Sequence, residues 1–182
     1  ATELEGKGSR AAIITDRTLK DKCADLVEGL KAAGYEIALW DGVEADPTLD
    51  IALTASRFLL EFNPQWVIGF GGGSAIDTAK AAWVLYERPD LAAGDLTKSI
   101  LPKAKLNLRE KARFVAVPTT AGTGSEVGRS SVISEDATHV KRIVFSPALL
   151  AKAVFADPEL TLGLPASVTA ATGMDALTHN VE

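Results

Sequence analysis

The sequence predicts an α/β domain, a mostly parallel sheet with helices on both faces, and three observations predict it. Short apolar runs alternate with segments whose apolar residues recur every three or four positions, the rhythm of strand–helix–strand units. Two loops of small residues, 69–74 and 119–126, each follow an apolar run, as loops do at the carboxyl ends of parallel strands. The 182 residues, 47% hydrophobic and 24% charged, match a globular composition. A chain of this length can bury roughly 70% of its unfolded surface.

Each element has its own warrant. Residues 11–15 form a first strand, bounded by Asp16. Leu19, Cys23, Leu26, Val27, Leu30 and Ala33 then fall on one helical face until Gly34 stops the pattern. Residues 35–40 are the second strand. Asp46 and Pro47 are expected to open the next helix as N-cap and first-turn residue, and Asn63-Pro64 to close it. Residues 65–70 form the third strand, running into Gly71-Gly72-Gly73, and a helix spans 74–87. The connection 88–113 carries Lys98, Lys103, Lys105, Arg109, Lys111 and Arg113, a basic stretch read as solvated surface. Residues 114–117 are the fourth strand, and the runs 140–145 and 153–155 read as strands near an edge of the same sheet. Residues 166–182 are helical in pattern and stop in mid-helix without a cap, as if cut. The expected organisation is one α/β domain over 1–162, followed over 163–182 by the first helix of an incomplete all-α domain.

Composition excludes several function classes. Nineteen Lys and Arg against 24 Asp and Glu give a net charge of −5, poorly suited to neutralising a phosphate backbone, so nucleic acid is not an expected partner. No run of about 20 apolar residues is present to cross a membrane, and no basic-then-apolar leader opens the chain. The lone Cys23 cannot form an internal disulfide and lies in a helical pattern, as an inert small hydrophobe would; a cytoplasmic location follows.

The residues that could carry chemistry cluster at strand ends. Gly71, Gly72, Gly73 and Ser74 stand between a strand and a helix, where bare backbone and free N–H groups can cradle an anion; a purely structural turn is the alternative. Ser74 and Asp77 also fit a capping box. Asp41 ends the second strand and could accept hydrogen bonds from a ribose diol, or simply shape the Asp41-Gly42 turn. Thr119, Thr120 and Thr123 bring hydroxyls to the second loop, and two such loops predict a crevice at the carboxyl edge of the sheet. Asp175 and His179, four apart on a helix, could share a metal ion or only a surface hydrogen bond. His139 is expected to face solvent.

Four blocks in order strongly resemble the iron-containing (group III) alcohol dehydrogenases: residues 71–80 (GGGSAIDTAK), 118–127 (PTTAGTGSEV), 157–161 (DPELT) and 173–179 (GMDALTH). The resemblance implies a Rossmann-like, dehydroquinate synthase-like fold. It also implies reversible hydride transfer between an alcohol or aldehyde and a nicotinamide cofactor. Carried over position by position, it gives Gly71, Gly72, Gly73 and Ser74 the pyrophosphate and Asp41 the adenosine ribose. Thr119, Thr120 and Thr123 take the adenine side and neighbouring phosphate or ribose. Asp77 falls near the nicotinamide, and Lys141 on its ribose, the two residues with catalytic roles. Asp175 and His179 would be two of four protein ligands to Fe(II), or alternatively Zn(II), the remaining two histidines lying beyond residue 182. NAD is expected over NADP because the Asp41 carboxylate would face the 2′-phosphate. The parent-length protein is expected to be a homo-oligomer. Arg129 stands where many members continue with Thr-Pro, and is read as a structural salt bridge or a contact to an acidic substrate. Two other readings are a metal-dependent polyol or hydroxyacid dehydrogenase and a truncated, non-catalytic nucleotide-binding module.

Overall fold

The computed structural model describes residues 9–91, 96 and 106–182, so Lys98, Lys103 and Lys105 of the basic stretch lie outside the described residues. In chain order the elements are β1 (Arg10–Asp16), α1 (Ala24–Ala32), β2 (Glu36–Val43), α2 (Leu49–Phe62), β3 (Trp66–Gly71), α3 (Gly73–Glu87), β4 (Arg113–Pro118), β5 (Ser130–Ser134), β6 (Lys141–Phe145), β7 (Ala153–Val154) and α4 (Ala166–Val181). Five strands make a wholly parallel sheet in the order β2-β1-β3-β4-β7.

Alternation along each strand divides the core in two, because successive side chains point to opposite faces. Ala12, Ile14, Val67, Phe114 and Ala116 meet α2 and α3 on one face. Ala11, Ile13, Trp66, Ile68, Phe70, Val115 and Val117 meet α1 on the other, with Leu19, Cys23 and Leu30. Both faces are covered, so the strands read as continuous apolar runs. Burying Cys23 pushes its thiol up to about 11, which leaves it protonated and inert, as the sequence suggests.

α3 is buried from Ala75 to Glu87, and its polar residues are placed accordingly. The Glu87 carboxylate accepts the backbone N–H groups of Glu110, Lys111 and Ala112, which fixes the entry into β4.

Four expectations are corrected. The first helical segment opens as two 3-10 turns, Arg17–Leu19 and Asp21–Cys23, before α1 begins; Asp16 accepts the N–H groups of Thr18 and Leu19 and so breaks the run. Asp46 is not an N-cap: it has φ 55°, and α2 starts at Leu49 behind Thr48. Its carboxylate instead accepts the Ser134 hydroxyl at 3.1 Å. The run 140–145 does not join the main sheet. β6 pairs antiparallel with β5, a strand too polar in sequence to be recognised, and their hairpin packs on α3. Finally, Ser74 is not a cap, since Gly72 holds that position and the Asp77 carboxylate turns to the hairpin. Asn63, in contrast, closes α2 in the left-handed conformation as expected.

Candidate dinucleotide crevice

The strand order dictates where a site can form. β2 lies to one side of β1 and β3 to the other, so the chain direction across the sheet reverses at β1 and opens a crevice at the carboxyl ends. Register then brings the functional loops together: Asp16 pairs with Gly42 and Val43, and Gly71 pairs with Pro118. Asp41, the 71–74 turn and the 119–124 loop therefore share one rim.

The resulting cavity of about 780 Å³ is lined by Arg17, Asp41, Gly72, Gly73, Ser74, Thr119, Thr120 and Thr123, among others. It brings together most of the expected cofactor residues. Gly71 adopts φ 145°, a conformation that L side chains rarely adopt, and a Cβ there would lie 2.7 Å from that of Ala75. Gly71 turns the chain from β3 into α3, whose first residues, Gly73, Ser74 and Ala75, line the cavity and bring N–H groups without an intrahelical partner to it. Gly72 has an ordinary φ of −76°; closeness, rather than strain, restricts it, because its Cβ would meet Thr120 at 3.3 Å.

The opposite wall is α4. Val168 and Thr172 line the cavity. Asp175 and His179 continue the same face at the following turns, as three- and four-residue spacing requires. Their side chains approach to 3.7 Å (Nε2 to Oδ1), and both are about half exposed. A carboxylate oxygen and an imidazole nitrogen suit Fe(II) or Zn(II), and this pair fits as part of a ligand set. Among the described residues no third His, Cys, Asp or Glu joins them.

Asp77 and Lys80, one turn apart on α3, are both buried behind the cavity. Asp77 Oδ2 accepts the Val132 N–H at 3.0 Å, while among the described residues Oδ1 has no partner in full hydrogen-bond geometry, the Ser125 side chain being near enough to favour the charged form. Burial pushes this carboxyl up to about 6, against the opposing pull of the Val132 amide and the Lys80 charge. The Lys80 ammonium, fully buried, donates to the carbonyls of Ser125, Gly128 and Ser130 at 2.7, 2.7 and 3.0 Å. It thereby ties the loop that carries the threonines to α3. Sequence reasoning missed it, since a helical lysine reads as exposed; the signal was its place in a segment otherwise almost wholly apolar.

Other expected residues stand apart. Lys141 is 66% exposed and paired with Asp46 at 3.3 Å, outside the cavity lining. Among the described residues Arg129 makes no salt bridge; its guanidinium lies over the Phe145 ring at 5.5 Å. His139 is exposed, as expected.

Comparison with known proteins agrees with this architecture. Residues 1–158 match the family model described as iron-containing alcohol dehydrogenase. The NADPH-dependent butanol dehydrogenase of Clostridium saccharobutylicum is 38% identical over 97% of this chain, which spans 48% of that enzyme. The solved alcohol dehydrogenase from Oenococcus oeni superposes with a TM-score of 0.86 at 34% identity, covering 96% of this chain and 45% of that one. Sulfoacetaldehyde reductase from Bifidobacterium kashiwanohense, solved with NAD+, gives 0.85 at 26% identity, covering 100% and 46%. The chain thus spans about half the length of these relatives.

Proposed function

The chain belongs to the iron-containing alcohol dehydrogenase family, and on that premise we propose that it is the dinucleotide-binding half, with the opening of the metal-binding half, of an NAD(P)-dependent alcohol dehydrogenase. The crevice at the β1–β3 switch point, with a helix N-terminus on one side and α4 on the other, is the observation that carries this reading.

The backbone N–H groups at Gly72, Gly73 and Ser74 bind the pyrophosphate, and the Thr119, Thr120 and Thr123 hydroxyls hold the neighbouring phosphate, ribose and adenine side. Asp41 accepts from the adenosine ribose, and its carboxylate taken alone favours NAD. Asp77, buried behind the cavity, is the residue that would serve the nicotinamide end. Lys141 is the more distant member, and reaching the nicotinamide ribose means leaving an exposed ion pair worth at most about 1 kcal/mol. Asp175 and His179 hold part of the coordination sphere of Fe(II) or Zn(II). When bound, such a metal polarises a substrate oxygen and nicotinamide accepts hydride; this chain's residues bind and orient both. Small alcohols or aldehydes are the substrate class, and the parent-length protein is proposed to be a cytoplasmic homo-oligomer. Among the described residues no helix is long and apolar enough to cross a membrane.

The test is calorimetric titration of the chain with NAD+. We expect one site, lost in Gly72→Val, whose side chain would fill the cradle against Thr120. Unchanged affinity in that variant would place the pyrophosphate elsewhere. Among the described residues Asp175 and His179 are joined by no third donor, and a second reading is a non-catalytic nucleotide-binding module. Alcohol-dependent NADH formation by the parent-length protein separates the two. The polyol or hydroxyacid alternative gains no support from Arg129, which lies outside the cavity lining.

A further inference from the structure

We infer that Lys20, with Arg17 beside it, is a specificity-determining residue that lets this crevice accept the 2′-phosphate of NADP as well as the free ribose of NAD. The inference rests on the dinucleotide reading above and deepens it. A bare carboxylate at the end of β2 would repel a 2′-phosphate, and Asp41 taken alone predicts strong selection for NAD. The Asp41 carboxylate is not bare. Lys20 Nζ lies 3.1 Å from its Oδ2, and the two side chains are 59% and 33% exposed; Asp41 lines the crevice, and Lys20, just outside the lining, reaches it through this ion pair. The Lys20 ammonium beside it, helped by the charge of Arg17, holds the Asp41 carboxyl below the usual range.

The surrounding charges favour the same outcome. Arg17 and Lys22 line the crevice. Of the acidic groups there, Asp16 already accepts the Thr18 and Leu19 N–H groups and the Thr18 hydroxyl. Glu44 also lines the crevice and adds one negative charge. Lys20 follows directly on the turn that Asp16 caps, so its stem starts from a fixed backbone. An ammonium has three donors: one can stay on Asp41 while another reaches a phosphate oxygen, and a phosphate monoester carries about −1.5 to −2 charges near neutral pH. A ribose diol would instead donate to the Asp41 oxygens. The same pair of residues therefore serves both cofactors.

The test compares NAD+ and NADP+ binding by calorimetry in the full chain, Lys20→Ala and Lys20→Arg. Both substitutions are at an exposed position, which leaves the core untouched. For the unaltered chain we expect the two dissociation constants to lie within about tenfold of each other. Lys20→Ala should raise the NADP-to-NAD ratio by about five- to tenfold, most strongly at low salt, and Lys20→Arg should restore it. A ratio unmoved by Lys20→Ala, with both cofactors still bound, would overturn the inference alone. Failure of the unaltered chain to bind either dinucleotide would overturn the dinucleotide reading and this inference with it.

Discussion

Gly122, in the loop after β4, lies against the backbone carbonyl of Thr172 in α4, with no room for a Cβ between them. This contact seats α4 as the far wall of the crevice. Gly122→Ala should therefore lift the helix, because backbone cannot yield as a flexible side chain can. The expected cost is about 1–3 kcal/mol, with faster amide exchange in α4 and weaker dinucleotide binding. Retained protection at Val168 and Thr172 would contradict it.

Lys80→Met should lower stability by about 3 kcal/mol, since three carbonyls that now share one ammonium would lose their donor. A thermal melt gives the stability. Proteolysis of residues 119–130 should quicken in the same variant, because the loop loses its tether.

Asp77 gives stability a distinct pH dependence. Its carboxyl is raised from 3.8 to about 6 in the folded chain, so the native state holds the proton more tightly. The stabilisation is complete below about pH 4 and is lost as pH rises through about 6, a loss of about 2–3 kcal/mol. Asp77→Asn should flatten this part of the curve while keeping an acceptor for the Val132 N–H. Denaturant midpoints at pH 4.5 and pH 7 for the two proteins provide the comparison.

For the Asp175 and His179 pair, the isolated chain should bind Zn(II) only weakly, as two protein donors make an incomplete site. Either Asp175→Ala or His179→Ala should abolish even that, as read by competition with a chromophoric chelator. In the parent-length protein the same changes should remove bound metal and alcohol oxidation together. Tight stoichiometric metal in the isolated chain would show that further donors exist.

Local pattern made β1, β3, β4 and the main helices legible, because buried parallel strands such as residues 66–71 are continuous apolar runs with glycine at the end. Partnership was harder to read. Ser130–Ser134 is a strand in which the Ser131 hydroxyl turns to α3 and donates to the Asp77 carbonyl while that of Ser134 donates to Asp46, and no alternation marks it. Asp46-Pro47 imitates a helix start, but the serine that occupies Asp46 is 88 residues away. At the site, Gly72, Ser74 and Thr120 were found by loop composition. Lys20 and Lys80 were not, since their roles depend on Asp41 and on three backbone carbonyls that only the fold brings near.

The parallel sheet also sets the order in which this protein acquires its crevice. β1 must pair with both β2 and β3, and β3 with β4, with no hairpin to shortcut any of these closures. Such non-local topology folds slowly. The rim is shared by the ends of β1, β2, β3 and β4, so a partly assembled chain holds no complete cradle. Dinucleotide would then recognise only the finished sheet and, by mass action, draw the folding equilibrium towards it.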